Sequence, residues 1–70
     1  MYEILKRKRE EKGYTIEDLA RVIEKSPPTY FKKENGDVKF TVSEALKLAD
    51  FLDEKVEDIF FKEQFAVSES

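Results

Sequence analysis

The side chains in this sequence that can do chemistry are amines, guanidinium groups, carboxylates and hydroxyls, because its 70 residues include no histidine and no cysteine. Those two residue types supply many general bases, thiol nucleophiles and zinc ligands. The sequence also lacks a glycine-rich phosphate loop, and its hydroxyl residues lie where helices are expected to begin. We therefore expect no catalytic activity, no metal or other cofactor, and no small-molecule substrate.

The carboxylates are concentrated towards the end of the chain, where a cation site would be one use for them. A calcium-binding loop arranges its acidic ligands at regular spacing around a glycine, and this segment has neither feature. We interpret these carboxylates as a solvated helix surface. They are Asp50, Asp53, Glu54, Glu57 and Asp58.

The cationic side chains indicate a class of partner through their distribution. The formal net charge is -3, although a DNA-binding domain is usually basic. Residues 1–40, however, carry ten Lys and Arg against eight Asp and Glu, a balance of +2, whereas residues 41–70 carry three against eight, a balance of -5. Binding to a polyanion, if it occurs, should therefore involve residues 1–40.

The length of the chain, 70 residues, predicts one domain with a small stability margin, because so short a chain buries only about 60% of its unfolded surface. Stability must come from helix packing or from a partner subunit, since disulfides and Cys/His zinc sites are excluded. No apolar run approaches membrane-spanning length, and the first residues lack the pattern of a signal peptide. We expect a cytoplasmic protein with no membrane association.

Turn and capping signals divide the chain into five helices. The first runs from Tyr2 to Lys12 and stops at Gly13, which suits a left-handed helix end. Thr15 caps the second helix. Four apolar residues of this helix then recur with core-facing spacing: Ile16, Leu19, Ala20 and Ile23.

The third helix follows after a turn of a few residues. Ser26 before Pro27 is a start signal, while Pro28 disfavours helical angles at Pro27 and would shift the cap to that residue. Asn35 and Gly36 end the helix in left-handed geometry.

The fourth helix begins at a capping box formed by Thr41 and Glu44. A short fifth helix runs from about Val56 to Phe61. The domain is thus expected to span residues 1–62, with a C-terminal tail over residues 63–70. The core-facing residues expected in the fourth helix are Val42, Ala45, Leu46, Ala49 and Leu52.

Two short helices joined by a turn of three or four residues form a helix-turn-helix, whose second helix enters the major groove of DNA. The chain resembles the phage repressor and Cro family, or XRE family, from about Leu5 to Phe60. In the first half the resemblance lies in Arg9–Lys12, Gly13, Thr15–Ala20, Ser26, Thr29, Tyr30 and Glu34–Gly36. In the second half it lies in Ala45, Leu46, Leu48, Ala49, Leu52 and Val56–Phe60, in the order of the family's fourth and fifth helices.

The resemblance implies an all-α, compact five-helix domain of the lambda-repressor type, with double-stranded DNA as partner. Its reading helices would be Thr15–Ile23 and Ser26–Glu34, and a buried ion pair would join Arg9 to Glu34. The expected DNA-contacting residues are Ile16, Lys25, Ser26, Pro27, Pro28, Thr29, Phe31, Lys32, Lys33, Asn35 and Lys39.

Different contacting residues are expected to have different roles. Lys32 can donate to guanine O6 and N7, Thr29 can serve several bases, and Phe31 or the prolines can pack on a thymine methyl. Lys25, Lys33 and Lys39 would attract phosphates, and the loop at Asn35 would meet the DNA backbone. The implied function is a sequence-specific transcriptional regulator, repressor-like or Cro-like.

The sequence departs from the family pattern at three places. Ile16 stands where the family often has a glutamine that touches the DNA backbone, and Pro27 and Pro28 replace common polar readers. Glu24 and Lys25 occupy a turn that usually holds glycine and a small apolar residue. The acidic balance, Ile16 and the two prolines favour an alternative function, an antirepressor-like protein-interaction module with the same fold and weak or no DNA binding.

Several residues also have structural explanations. Asn35 and Gly36 can also be explained as a helix end, Lys32 and Lys33 as a solvated helix face, and Phe31 as a contact to a partner protein.

The aromatic residues at the end of the chain leave two alternatives open. Phe60 is expected to complete the core. Phe61, Phe65 and Val67 are candidates for a homodimer contact, or belong to a tail that folds back on its own domain.

Overall fold

The computed structural model describes residues 2–60, which form five α-helices and no β-strand. This confirms the predicted all-α fold. Within the described part of the chain, no helix is long and apolar enough to cross a membrane. The helices are α1 (Glu3–Glu11), α2 (Ile16–Val22), α3 (Pro27–Glu34), α4 (Val42–Leu52) and α5 (Val56–Ile59).

Three helices begin at a hydroxyl residue, as predicted. Thr15 caps α2 and Thr41 caps α4, each in a complete capping box with the carboxylate three residues later. At α3 the Ser26 side chain accepts from the amide of Thr29, and the two prolines follow at the first two helical positions. The cap therefore stays on Ser26 and does not move to Pro27.

Helices α1 to α4 all end in the same hydrogen-bonded motif, in which one residue takes left-handed backbone angles. That residue is Gly13 after α1 and Gly36 after α3, with φ of 80° and 90°, but Glu24 after α2 and Asp53 after α4, with φ of 60° and 59°. At Glu24, for example, its amide donates to Arg21 and the next amide donates to Ala20, at 3.1 and 3.0 Å. Two of the four helix ends thus adopt this geometry without glycine.

The end of α3 differs in detail from the prediction. Asn35 keeps right-handed angles, with φ of -79° and ψ of -8°, and Gly36 alone takes the left-handed position. Gly36 can take the left-handed backbone angles without strain because it has no Cβ, so Asn35 does not have to adopt them.

The core lies between the helices and takes residues from each of them. Two residues predicted to face it, Val42 and Leu46, are instead 49% and 52% exposed. Leu46 follows Ala45 by one residue and so points about 100° away from it, and Val42 lies four residues before Leu46 on the same exposed side of α4. The buried stripe of α4 consists of Ala45, Leu48, Ala49 and Leu52.

An aromatic cluster ties the two ends of the described chain to the loop after α3. The ring of Phe40 lies 4.9 Å from that of Tyr2 and 5.4 Å from that of Phe60, both edge-on. Phe60 is 2% exposed, in agreement with its predicted place in the core. The cluster closes the domain behind α3 and leaves the other side of that helix open.

Candidate DNA-binding interface

The α2 and α3 helices form the helix-turn-helix, joined by a tight turn at residues 23–26. Buried Leu19 and Ala20 of α2 belong to the same core cluster as Tyr30 of α3. Glu24 and Lys25 are both exposed, so their charged groups stay in water and the turn closes without burying them. The departure from the family pattern at these two residues therefore leaves the motif intact.

The α3 helix has a buried face and an exposed face. Tyr30, Lys33 and Glu34 are buried. The exposed residues of α3 and its C-terminal cap are Pro27, Pro28, Phe31, Lys32 and Asn35. The exposed set follows the i, i+4 spacing of one helix face, so this face combines apolar side chains with one ammonium group.

Arg9 and Glu34, the two residues expected to pair, form a bidentate ion pair. Arg9 Nε donates to Glu34 Oε2 at 2.9 Å, and Arg9 Nη2 donates to Glu34 Oε1 at 3.1 Å. The hydroxyl of Tyr30 donates to the same carboxylate at 2.9 Å, and Arg9 Nη1 donates to the carbonyl of Tyr14 at 3.1 Å. This network anchors the end of α3 to α1, and bidentate geometry holds both partners in one orientation.

The network also shifts the pKa values of its members. The hydrogen bond to Glu34 raises the pKa of Arg9 above its ordinary value, despite the opposing effect of burial. Burial raises the pKa of Tyr30 far above its usual range, and the adjacent Glu34 carboxylate raises it further. The Tyr30 hydroxyl therefore keeps its proton in the folded protein and continues to donate it to the Glu34 carboxylate.

Lys33 does not lie on the exposed face with Lys32, which corrects its expected role in attracting phosphate. Its ammonium group lies 3.1 Å from Glu44 Oε1 and donates to the carbonyl of Lys39 at 3.2 Å. The same nitrogen is 5.9 Å from the centre of the Phe40 ring. The reason is helical spacing, since Lys33 follows buried Tyr30 by three residues and so turns inward with it.

Glu44 is a residue that sequence reasoning placed only in a capping box. Its carboxylate both accepts from the backbone amide of Thr41 at 3.1 Å and pairs with Lys33. Together the Arg9–Glu34 and Lys33–Glu44 pairs hold α3 from two sides. The i, i+3 spacing of Tyr30 and Lys33 was the one signal in the sequence that indicated an inward lysine.

Three lysines surround the exposed face of α3 in the chain: Lys25 before it, Lys32 on it and Lys39 after it. All three are exposed, and within residues 2–60 none of them forms an ion pair. Two exposed carboxylates, Glu24 and Asp37, lie in the same stretch. The balance of free charge is therefore only slightly positive.

The other expected contact residues are less available to DNA, because their side chains are partly buried or already hydrogen-bonded. Thr29 and Ile16 are partly buried, and Ile16 packs against the core cluster. Ser26 is exposed but its hydroxyl is engaged, because it donates to Thr29 Oγ1 at 3.0 Å. The candidate dimer contacts Phe61, Phe65 and Val67 lie outside the described residues.

The family model described as Helix-turn-helix matches residues 5–59, which is most of the chain and includes α2 to α5 in full and α1 from Leu5 onwards. The chain belongs to this family, the XRE type. This confirms the resemblance to Cro-type and repressor-type DNA-binding proteins. Neither a curated protein nor a solved structure matches the chain.

Membership of the helix-turn-helix family sets the general function. The domain of this family binds DNA and serves regulation; it is not a catalytic domain. Double-stranded DNA is accordingly the partner that the family supports. Among the described residues, no group of Asp and Glu is arranged to hold a metal ion.

Proposed function

We propose that the protein is a sequence-specific transcriptional regulator, repressor-like or Cro-like, which inserts α3 into the major groove. The observation that carries this proposal is the exposed face of α3, which presents Lys32 in a family of DNA-binding proteins. An α-helix with its side chains is about 10–12 Å across, and a major groove about 12 Å wide admits it.

Positioning of α3 supports base reading. A reading helix must be held firmly, because a displacement of about 1 Å breaks a hydrogen bond to a base edge. Here α3 is tied to α1 through Glu34 and to α4 through Lys33. The side chains that make these ties point away from the exposed face, so they leave Lys32 free to contact DNA.

Phosphate binding would come from residues on either side of α3. Lys25 and Lys39 are exposed and bracket the helix in the chain, and the loop at Asn35 follows it directly. Lysine contacts to phosphates add affinity by releasing counterions and so make it salt-dependent.

We also propose that the protein works as a homodimer in the cytoplasm, with two α3 helices about 34 Å apart on successive turns of DNA. Phe61, Phe65 and Val67 are the candidate contact residues. The operator would then be near-palindromic. Sedimentation of the full chain with and without duplex tests this, and a monomer on DNA would contradict it.

A salt titration of duplex binding tests the regulator function. Affinity should be measurable at low salt and fall as salt rises. Lys25→Ala or Lys39→Ala should each reduce the slope of log affinity against log salt by up to about two ions, one from each subunit of the dimer. Lys32→Ala should weaken binding and also change the preferred bases. Lys47→Ala, on an exposed part of α4, is the matched control and should change neither property.

An antirepressor-like protein-interaction module is the second candidate, and the apolar composition of the exposed α3 face favours it. Phe31 is 50% exposed there and lies beside exposed Pro27 and Pro28, and contiguous exposed apolar side chains are typical of interaction sites. Negligible affinity for any duplex at low salt would reject the regulator function and leave this module.

A further inference from the structure

The exposed face of α3 carries three apolar side chains next to one another. Phe31 follows Pro27 by four residues and Pro28 by three, so all three share one side of the helix. Lys32 follows Pro28 by four and lies beside them. Phe31 is half exposed, and both prolines are exposed.

The first turn of α3 has no free amide to offer to a base or a phosphate. Pro27 and Pro28 have no N–H group. The amide of Thr29 donates to the Ser26 hydroxyl at 3.3 Å, and the amide of Tyr30 donates to the Ser26 carbonyl at 2.9 Å. Contacts from the start of α3 must therefore be made by side chains.

Those side chains offer few polar groups. The Ser26 hydroxyl donates to Thr29 Oγ1, which leaves Thr29 its own hydroxyl proton. Of the two lysines of α3, Lys32 is exposed and Lys33 is buried. Most of the surface that α3 can bring to a base edge is thus apolar.

In the major groove, the C5-methyl group of thymine is the apolar feature that distinguishes one base from another. We propose that α3 recognises thymine mainly through this methyl group, with Phe31 and Pro28 packed on thymine methyls and Lys32 donating to a neighbouring guanine. Exposed Lys25 and Lys39 complement the phosphates on either side, which favours DNA over an apolar protein groove as the occupant of this face. The inference rests on the proposed function as a duplex-binding regulator.

Replacement of thymine by uracil in a bound duplex tests the proposal, because uracil keeps the hydrogen-bonding groups of thymine and lacks only the methyl. The duplex is the best-bound sequence selected from a random pool at low salt. We expect that sequence to combine thymines with a guanine in each half-site. Removal of one contacted methyl should weaken binding about fourfold, and removal of a symmetric pair should weaken it on the order of 15-fold.

The matching protein variant is Phe31→Ala. When uracil replaces the symmetric pair of thymines that Phe31 contacts, this variant should bind the thymine duplex more weakly by the factor given for a pair of methyls, bind the uracil duplex like the parent protein, and bring the ratio of the two affinities close to one. Phe31→Leu should retain part of the ratio, since leucine is still apolar. Phe51→Ala removes another exposed phenylalanine, 41% exposed on α4, and should leave the ratio unchanged.

The outcomes separate this inference from the function on which it rests. If the parent protein binds selected duplexes with equal affinity for thymine and uracil, methyl recognition is wrong and the regulator function stands. If the parent protein binds no duplex at low salt, both are wrong and the α3 face belongs to a protein contact. Circular dichroism confirms that each variant is folded, as expected for changes at exposed positions.

Discussion

Replacement of Glu24 by glycine should stabilise the protein, although it removes a side chain from the helix-turn-helix itself. Glu24 holds the left-handed position in the turn, with φ of 60°. Its side chain is exposed and, within residues 2–60, makes no hydrogen bond or ion pair. The substitution therefore changes backbone energetics and removes one surface charge.

The size of the effect follows from two opposing terms. An L-residue in left-handed angles costs about 1–2 kcal/mol, and glycine removes that cost. Glycine also makes the unfolded chain more flexible, and this lowers the free energy of unfolding by about 0.4–1 kcal/mol relative to alanine. The net gain should be roughly 0.5–1 kcal/mol, or a rise in Tm of about 2–8 °C for a domain of this size.

Thermal unfolding followed by circular dichroism measures this gain. Glu24→Ala is the control for charge and side-chain removal, and it should leave Tm nearly unchanged because alanine keeps the left-handed strain. Lys47→Gly, in the middle of α4, should lower stability by about 1 kcal/mol, as glycine does in an ordinary helix.

The reverse substitution can be made at Gly13, which holds the same left-handed position at the end of α1. A Cβ added there would meet no atom within 4 Å, and φ is 80°, so Gly13→Ala should lower stability by about 0.5–1 kcal/mol through backbone strain alone. A Glu24→Gly variant no more stable than Glu24→Ala, alongside a Gly13→Ala variant as stable as the parent protein, would refute the reasoning.

Three further predictions concern the core and the ion-pair network. Leu46→Lys should change the free energy of unfolding by less than about 0.5 kcal/mol because Leu46 is exposed, whereas Leu48→Ala should cost about 2–5 kcal/mol because Leu48 is buried. Urea titrations measure both values, and a larger loss for Leu46→Lys than for Leu48→Ala would show that the other side of α4 faces the core. Glu34→Gln removes the buried, bidentate charge partner of Arg9 and leaves only the exposed Glu10 carboxylate at 3.8 Å, so it should cost about 3–5 kcal/mol in the same assay. A loss below about 1 kcal/mol would show that the Arg9–Glu34 pair is not buried. The pKa of Tyr30 is raised in the folded state, so its contribution to stability is complete below the ordinary tyrosine pKa near 10 and is lost as pH rises above that value. Between pH 10 and 11.5 the free energy of unfolding should fall by up to about 1.4 kcal/mol per pH unit from this group. Tyr30→Phe should make that decline shallower than in the parent protein.

The sequence by itself determined the helices and their order. Capping at Thr15, Ser26 and Thr41 uses hydrogen bonds that span only three residues, and the end at Gly13 needs only a residue without a Cβ. Local signals of this kind are complete within a few residues of sequence. The family resemblance supplied the Arg9–Glu34 contact, which joins residues too far apart in the chain for spacing alone to reveal.

Tertiary packing decided which side of each helix is buried. Leu46 and Leu48 are both leucines on α4, and only the position of the neighbouring helices places one in water and the other in the core. The lysines of α3 divide in the same way, since Lys33 turns inward to Glu44 while Lys32 stays in solvent. Glu24 is left-handed because the packing of α2 on α3 outweighs a local cost of about 1–2 kcal/mol. Burial depends on elements that are distant in sequence, so a one-dimensional pattern leaves it undetermined and the folded chain resolves it.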